Sequence, residues 1–203
     1  MELSPQDRQR IAAAITAAER RTSGEIVCVL ARSSSEGTAI PVLAAALAAL
    51  ALPWLLMALT TLPVQAILGL QLGLFAVLVL LLGLPRVRAI LLPPGTRRTL
   101  AHRAAMEQFM VRGIGRTEGR TGVLVFVSLA ERYARIVADE AIAARVPQAQ
   151  WQEAIDALVG HTRDGRVADG FVEAIGRCGD VLAAHFPQMP GDRPELPDRI
   201  YLI

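Results

Sequence analysis

Three places in this 203-residue sequence put together residue types that can do chemistry. Asp139-Glu140 sets two carboxylates side by side, as a divalent-cation site or an acid/base pair would. His161 precedes Asp164 and Asp169, and an imidazole oriented by a carboxylate can act as a general base. Gly113-x-Gly115-x-x-x-Gly119 is a glycine-rich turn whose backbone N–H groups could cradle a phosphate. The spacing argues against each. A calcium loop needs a second oxygen ligand two residues after Asp139, where Ala141 stands, so helix N-capping by Asp139 is the stronger reading. The glycine turn departs from GxGxxG and leads into a strand, so no helix N-terminus faces a phosphate. His161 reads as a helix-terminal histidine favoured by the helix dipole. Ser128 is the one serine near a strand end, and there is no GxSxG elbow. His102 and His185 have no metal-ligand partner at i,i+4. Cys28 and Cys178 form no CxxC or Cys/His cluster and read as small buried apolar residues. The chain contains no lysine, which removes Schiff-base chemistry and a Walker A lysine. The sequence therefore assigns no catalytic, cofactor-binding or metal residue and no cofactor. The net charge of +2 gives no case for nucleic-acid binding.

The elements that would have to position such residues are of two kinds. Mean hydropathy is +0.40, high for a soluble protein, while the charged fraction is 20%. The conflict disappears on inspection of residues 37–85, which contain no Asp, Glu, Lys, Arg or His. That stretch suits two spans of about 20 residues, at about 40–60 and 64–84, broken at Pro63. Pro53 is expected to kink the first, and Gln71 in the second can hydrogen-bond a neighbouring helix. The following flank carries Arg86, Arg88, Arg97, Arg98 and Arg103 without an acid, and the preceding one carries Arg20, Arg21 and Arg32. The positive-inside rule then predicts two cytoplasmic flanks and termini with a short turn outside. The arginine cluster can also meet anionic lipid headgroups.

Ser4-Pro5 reads as an N-cap and first helical position. The helix is followed by a strand at 25–30, whose partners must come after the hairpin. A helix from Thr96 to Val111 follows. Val123 to Val127 reads as a central strand buried on both faces, forming a hairpin with the alternating strand 133–138. Trp151, Ala154, Ile155, Leu158 and Val159 mark one amphipathic helix, ended by Gly160 and the Asp164-Gly165 turn. Val167, Phe171, Ile175, Cys178 and Leu182 mark a second. The tail is expected to be irregular. The expected fold is α/β (α+β), a mixed sheet with helices on its faces, interrupted by a two-helix transmembrane hairpin. The expected organisation is 1–36 as first helix and strand, 37–85 as hairpin, 86–190 as the remainder and 191–203 as tail.

Ser23–Val29, Gly113-Ile114-Gly115, Thr121–Ser128, Arg132–Val137 and Gly165–Phe171, in that order, resemble the TPM domain family. The family includes a thylakoid-lumen protein linked to photosystem II repair, an auxiliary subunit of an animal acetylcholine receptor and many bacterial membrane proteins. The resemblance implies an α/β sandwich working near membrane complexes, here in the bacterial inner membrane. Acid phosphatase activity is attributed to plant members. The family often has Asp-Asn just before the central strand, where this sequence has Arg120 and Thr121.

The expected function is that of a membrane-anchored cytoplasmic domain, an interaction or accessory protein more than an enzyme. Its partners would be the lipid bilayer and a membrane protein or a second copy of itself. The alternative is a phosphomonoester hydrolase using Asp139, Glu140 or His161.

Overall fold

The computed structural model describes residues 3–33, 39–83 and 93–203. Helix α1 (Pro5–Glu19) opens on a capping box. The Ser4 hydroxyl accepts the Asp7 N–H at 3.1 Å, and the Asp7 carboxylate accepts the Ser4 N–H at 3.2 Å. Its apolar spacing puts Ile11, Ile15 and Ala18 in the core. Strand β1 (Glu25–Ala31) follows, then helices α2 (Ala39–Leu59) and α3 (Val64–Gly83), then α4 (Pro94–Val111). Gly113 closes α4 at φ +69°, a left-handed conformation that glycine adopts without a Cβ penalty. A 3-10 turn (Ile114–Arg116) leads into strand β2 (Gly122–Ser128), which forms a hairpin with β3 (Tyr133–Ala138). Then come the single-turn α5 (Glu140–Ala143), a 3-10 turn (Gln148–Trp151), α6 (Gln152–Arg163), α7 (Val167–His185) and strand β4 (Ile200–Leu202).

The sheet order is β3-β2-β1-β4. β1 runs parallel to both neighbours, with Cys28 opposite Val125 and Ile200, while β2 and β3 are antiparallel. β1 and β2 are buried along their whole length. The period of two divides them between two cores. Ile26, Cys28, Leu30, Val123, Val125 and Val127 face α1, α6 and α7, with Trp151 and Phe171 among the largest side chains there. Val27, Val29, Ala31, Leu124 and Phe126 face Ala105 and Phe109 of α4 together with Ile114. The result is a mixed sheet with helices on its faces. Helices α1 and α7 approach closely at Gly179, where an added Cβ would lie 2.8 Å from the Ala18 Cβ.

The chain divides into two compact units, 1–34 with 98–203, and 35–97. In the second, α2 and α3 pack on each other, with Ala45, Ala49 and Ile67 buried. Both helices are long and apolar enough to cross a membrane. Pro53 lies inside α2. Arg86 and Arg88 fall outside the described residues.

Three expectations need correction. The tail is not irregular throughout: Ile200–Leu202 forms β4, too short for alternation to register before the structure supplies its partner. Gly160 does not end its helix. It sits on the exposed face of α6, which continues to Arg163, because a solvent-facing glycine costs helix stability without breaking hydrogen bonds. Trp151 precedes α6 in the 3-10 turn, yet remains 1% exposed in the core.

Candidate functional site

Asp139 stands where β3 ends and α5 begins. Its N–H donates to the Gly122 carbonyl at 2.9 Å, and its Oδ1 accepts the Glu140 N–H at 2.7 Å as an N-cap. The residue is 6% exposed, and Oδ2 is buried without a hydrogen-bond partner. The Arg120 guanidinium lies 4.0 Å from Oδ1, and Gly115 packs close by, where an added Cβ would lie 3.7 and 3.9 Å from the two oxygens. Glu140 is exposed, so the adjacent carboxylates are divided between interior and solvent. Asp139 is thus a capping residue facing a cation supplied by the chain.

Arg120 itself is in the left-handed region at φ +52°, an uncommon place for a residue with a long side chain. Its neighbour Thr121 joins the roots of two strands: the hydroxyl donates to the Ser23 carbonyl at 2.8 Å, and the carbonyl accepts the Glu25 N–H at 3.1 Å. The glycine turn before them holds an acid of the chain itself. The Glu118 N–H donates to the Glu195 carboxylate at 3.0 Å.

His161 lies in the last turn of α6, not beyond it. Its Nε2 is 2.7 Å from Glu173 of α7, while Nδ1 is buried without a partner. Arg177 shares Glu173 at 2.8 Å and reaches Glu153 at 3.0 Å. Arg177 first, and His161 second, hold the Glu173 carboxyl below its ordinary range. The acids that follow His161 in sequence pair elsewhere, Asp164 with Arg166 at 3.0 Å and Asp169 with Arg10 at 2.7 Å. The Ser128 hydroxyl donates to Glu131. Cys28 and Cys178 are free thiols in the core. Burial pushes both upward, Cys178 to about 12, so neither supplies the thiolate that nucleophilic chemistry requires. Among the described residues no group of three His, Cys, Asp or Glu side chains could hold a metal ion.

Sequence reasoning missed a cavity of about 200 Å³ at the carboxyl ends of β1 and β2. Leu30 and Leu129 form part of its apolar wall, and Arg10, Arg166 and Asp169 part of its polar rim. The carboxyl end of adjacent parallel strands is where open sheets form crevices. The parallel pairing of two strands separated by the hairpin was the signal, and it became visible only with the topology.

Comparison with known proteins adds the family. Residues 90–181 match the family model of the TPM domain. That match spans just under half of the chain. The whole fold is similar to the NMR structure of BA42 protein from the psychrophilic bacterium Bizionia argentinensis, with a TM-score of 0.64 and 20% sequence identity. That likeness spans 100% of this chain and 96% of the other, and it speaks for the fold. A search of curated proteins gives no match. Within the matched residues, the two positions just before the central strand are Arg120 and Thr121. Arg120 sets its guanidinium 4.0 Å from the Asp139 carboxylate.

Proposed function

We propose that this protein is a membrane-tethered TPM domain that serves a membrane complex as an interaction or accessory protein. The hairpin crosses the bacterial inner membrane, and the TPM domain lies on its cytoplasmic side. The observation that carries this reading is the outward surface of α2 and α3. Leu47 is 60% exposed, Trp54 77%, Leu72 70% and Leu80 74%. An apolar surface of this extent calls for lipid or a protein partner as cover. Arg97, Arg98 and Arg103, on the helix that follows, support the cytoplasmic orientation under the positive-inside rule. His161 against Glu173, Asp169 paired with Arg10, and Asp139 at a helix cap favour structural roles for the residues that the sequence offered as catalytic candidates.

Two measurements test the reading. Reporter fusions at residue 203 and in the Thr61–Pro63 turn should report opposite compartments, with residue 203 cytoplasmic; a periplasmic signal there overturns the orientation. Purification in mild detergent should recover a membrane-protein partner or a self-associated form, and a bare monomer counts against the accessory role. The competing reading is phosphomonoester hydrolysis. It predicts activity in purified protein, with or without divalent metals, that is lost in the double variant Asp139→Asn, His161→Ala.

A further inference from the structure

We propose that Glu19 and Asp198 form a proton latch that fastens the 187–203 segment to the sheet, and that loss of the proton loosens the segment from the edge of β1. This segment is held at many points by groups on α1, β1 and the loop between them. It starts at an antiparallel bridge between Thr22 and Pro187, where the Thr22 hydroxyl donates to the Phe186 carbonyl at 2.5 Å. The Ser23 hydroxyl donates to Asp192 at 2.6 Å. The Glu25 carboxylate, 7% exposed, accepts the N–H groups of Glu195 and Leu196 at 3.1 and 3.0 Å. The Thr16 hydroxyl donates to Asp198 at 2.5 Å. β4 then runs along β1 to Ile203, whose N–H donates to the Leu30 carbonyl and whose carbonyl accepts the Arg32 N–H, at 3.1 and 2.9 Å.

One atom in this set has no satisfactory partner. Glu19 Oε1 accepts the Ile26 N–H at 2.8 Å, but Oε2 is buried without a donor, and Thr16, one turn earlier on α1, holds the Asp198 carboxylate on the same helix. An ionised pair here would set two half-buried carboxylates on the same side of α1, where their repulsion is only partly screened by water. A proton on Glu19 changes the repulsion into a hydrogen bond from carboxylic acid to carboxylate. The other groups acting on Glu19 are of the same sign or neutral: Glu25 of β1, which itself has Glu195 as a neighbour, and the Cys28 thiol. Burial first, then Glu25 and Asp198, raise the Glu19 carboxyl to about 9, and its bond from the Ile26 N–H offsets this only in part.

The sign of the pH effect follows. Below the ordinary glutamate range the proton is present whether the segment is docked or free. Between that range and about 9, docking retains a proton that the free, solvated carboxyl has lost. Docking therefore weakens as pH rises through this window, by at most about tenfold per pH unit, and changes no further above it.

The test is hydrogen exchange by mass spectrometry on the full chain in detergent micelles from pH 6 to 9, corrected for intrinsic exchange. In the wild type, protection of peptides spanning 199–203 should fall by up to about tenfold per pH unit. Glu19→Gln keeps an acceptor for the Ile26 N–H and a permanent donor toward Asp198, so its protection should stay level across the range. A level wild type, or an equal slope in Glu19→Gln, overturns the latch. Should the variant fail to fold, the carboxyl carbon shift of Glu19 in the wild type decides. Titration in the ordinary carboxylate range overturns the proposal, and titration near 9 supports it.

Discussion

Strand β2 and helix α3 are equally free of charge in sequence, yet the structure treats them in opposite ways. Every residue of β2 is buried, between Ile136, Phe171 and their neighbours on one side and Ala105, Phe109 and Ile114 on the other. The apolar window Val64–Leu82 of α3 is only 6% buried. A run of apolar residues reports only that cover is needed. Whether the chain provides it depends on which amphipathic elements elsewhere have faces to spare. Here α1, α6, α7 and α4 set apolar side chains against the sheet, while α2 and α3 pack on each other.

The largest expected effect breaks that comparison from the sheet side. Phe126→Ala, at 0% exposure, should cost about 3–5 kcal/mol in chemical denaturation of the TPM domain. Leu72→Ala, at 70% exposure, should leave the same transition within about 0.5 kcal/mol. Comparable losses at the two positions would erase the contrast. From the hairpin side, Leu72→Asp sits near the middle of α3 and should penalise membrane insertion by about 2.5–3.5 kcal/mol, read as a shift from the carbonate-resistant to the extractable fraction. No shift would mean that this surface is not covered by lipid. A finer probe of the two-sided strand is Gly122→Ala. The new Cβ would lie 2.4 Å from the Ile114 carbonyl oxygen, so backbone must move, and a cost of about 1–3 kcal/mol is expected in the same denaturation experiment. The smallest effect belongs to the periphery: Ser4→Ala removes the capping box of α1 and should cost about 1 kcal/mol.

Much of this architecture is written in local pattern. The Ser4-Pro5 start of α1, the turn from Ala130 to Arg132, the two-sided burial of Val123–Val127 and the N-cap at Asp139 all follow from residue type and spacing, and the structure has each. The extents of α2 and α3 follow from the charge-free run. What escaped the sequence depends on distant partners. Ile200–Leu202 has no strand character until β1 lies beside it. His161 is followed by two acids within eight residues, but the packing of α6 against α7 brings it to Glu173 instead. The Glu25 carboxylate looks like an ordinary strand-start acid, and only the fold shows that it holds two N–H groups of the 187–203 segment. Local periodicity specifies elements; pairings between side chains far apart in sequence are set by topology.

The position of β1 has a consequence for how the molecule is made. It leaves the ribosome before α2 and α3, and both strands that flank it come after them. Until then its two edges offer unpaired N–H and C=O groups, the condition that invites pairing with foreign chains. Insertion of α2 and α3 into a membrane would hold that waiting strand at the bilayer and away from other nascent chains. A hairpin inserted in this way would act during synthesis as a tether that guards an unfinished sheet.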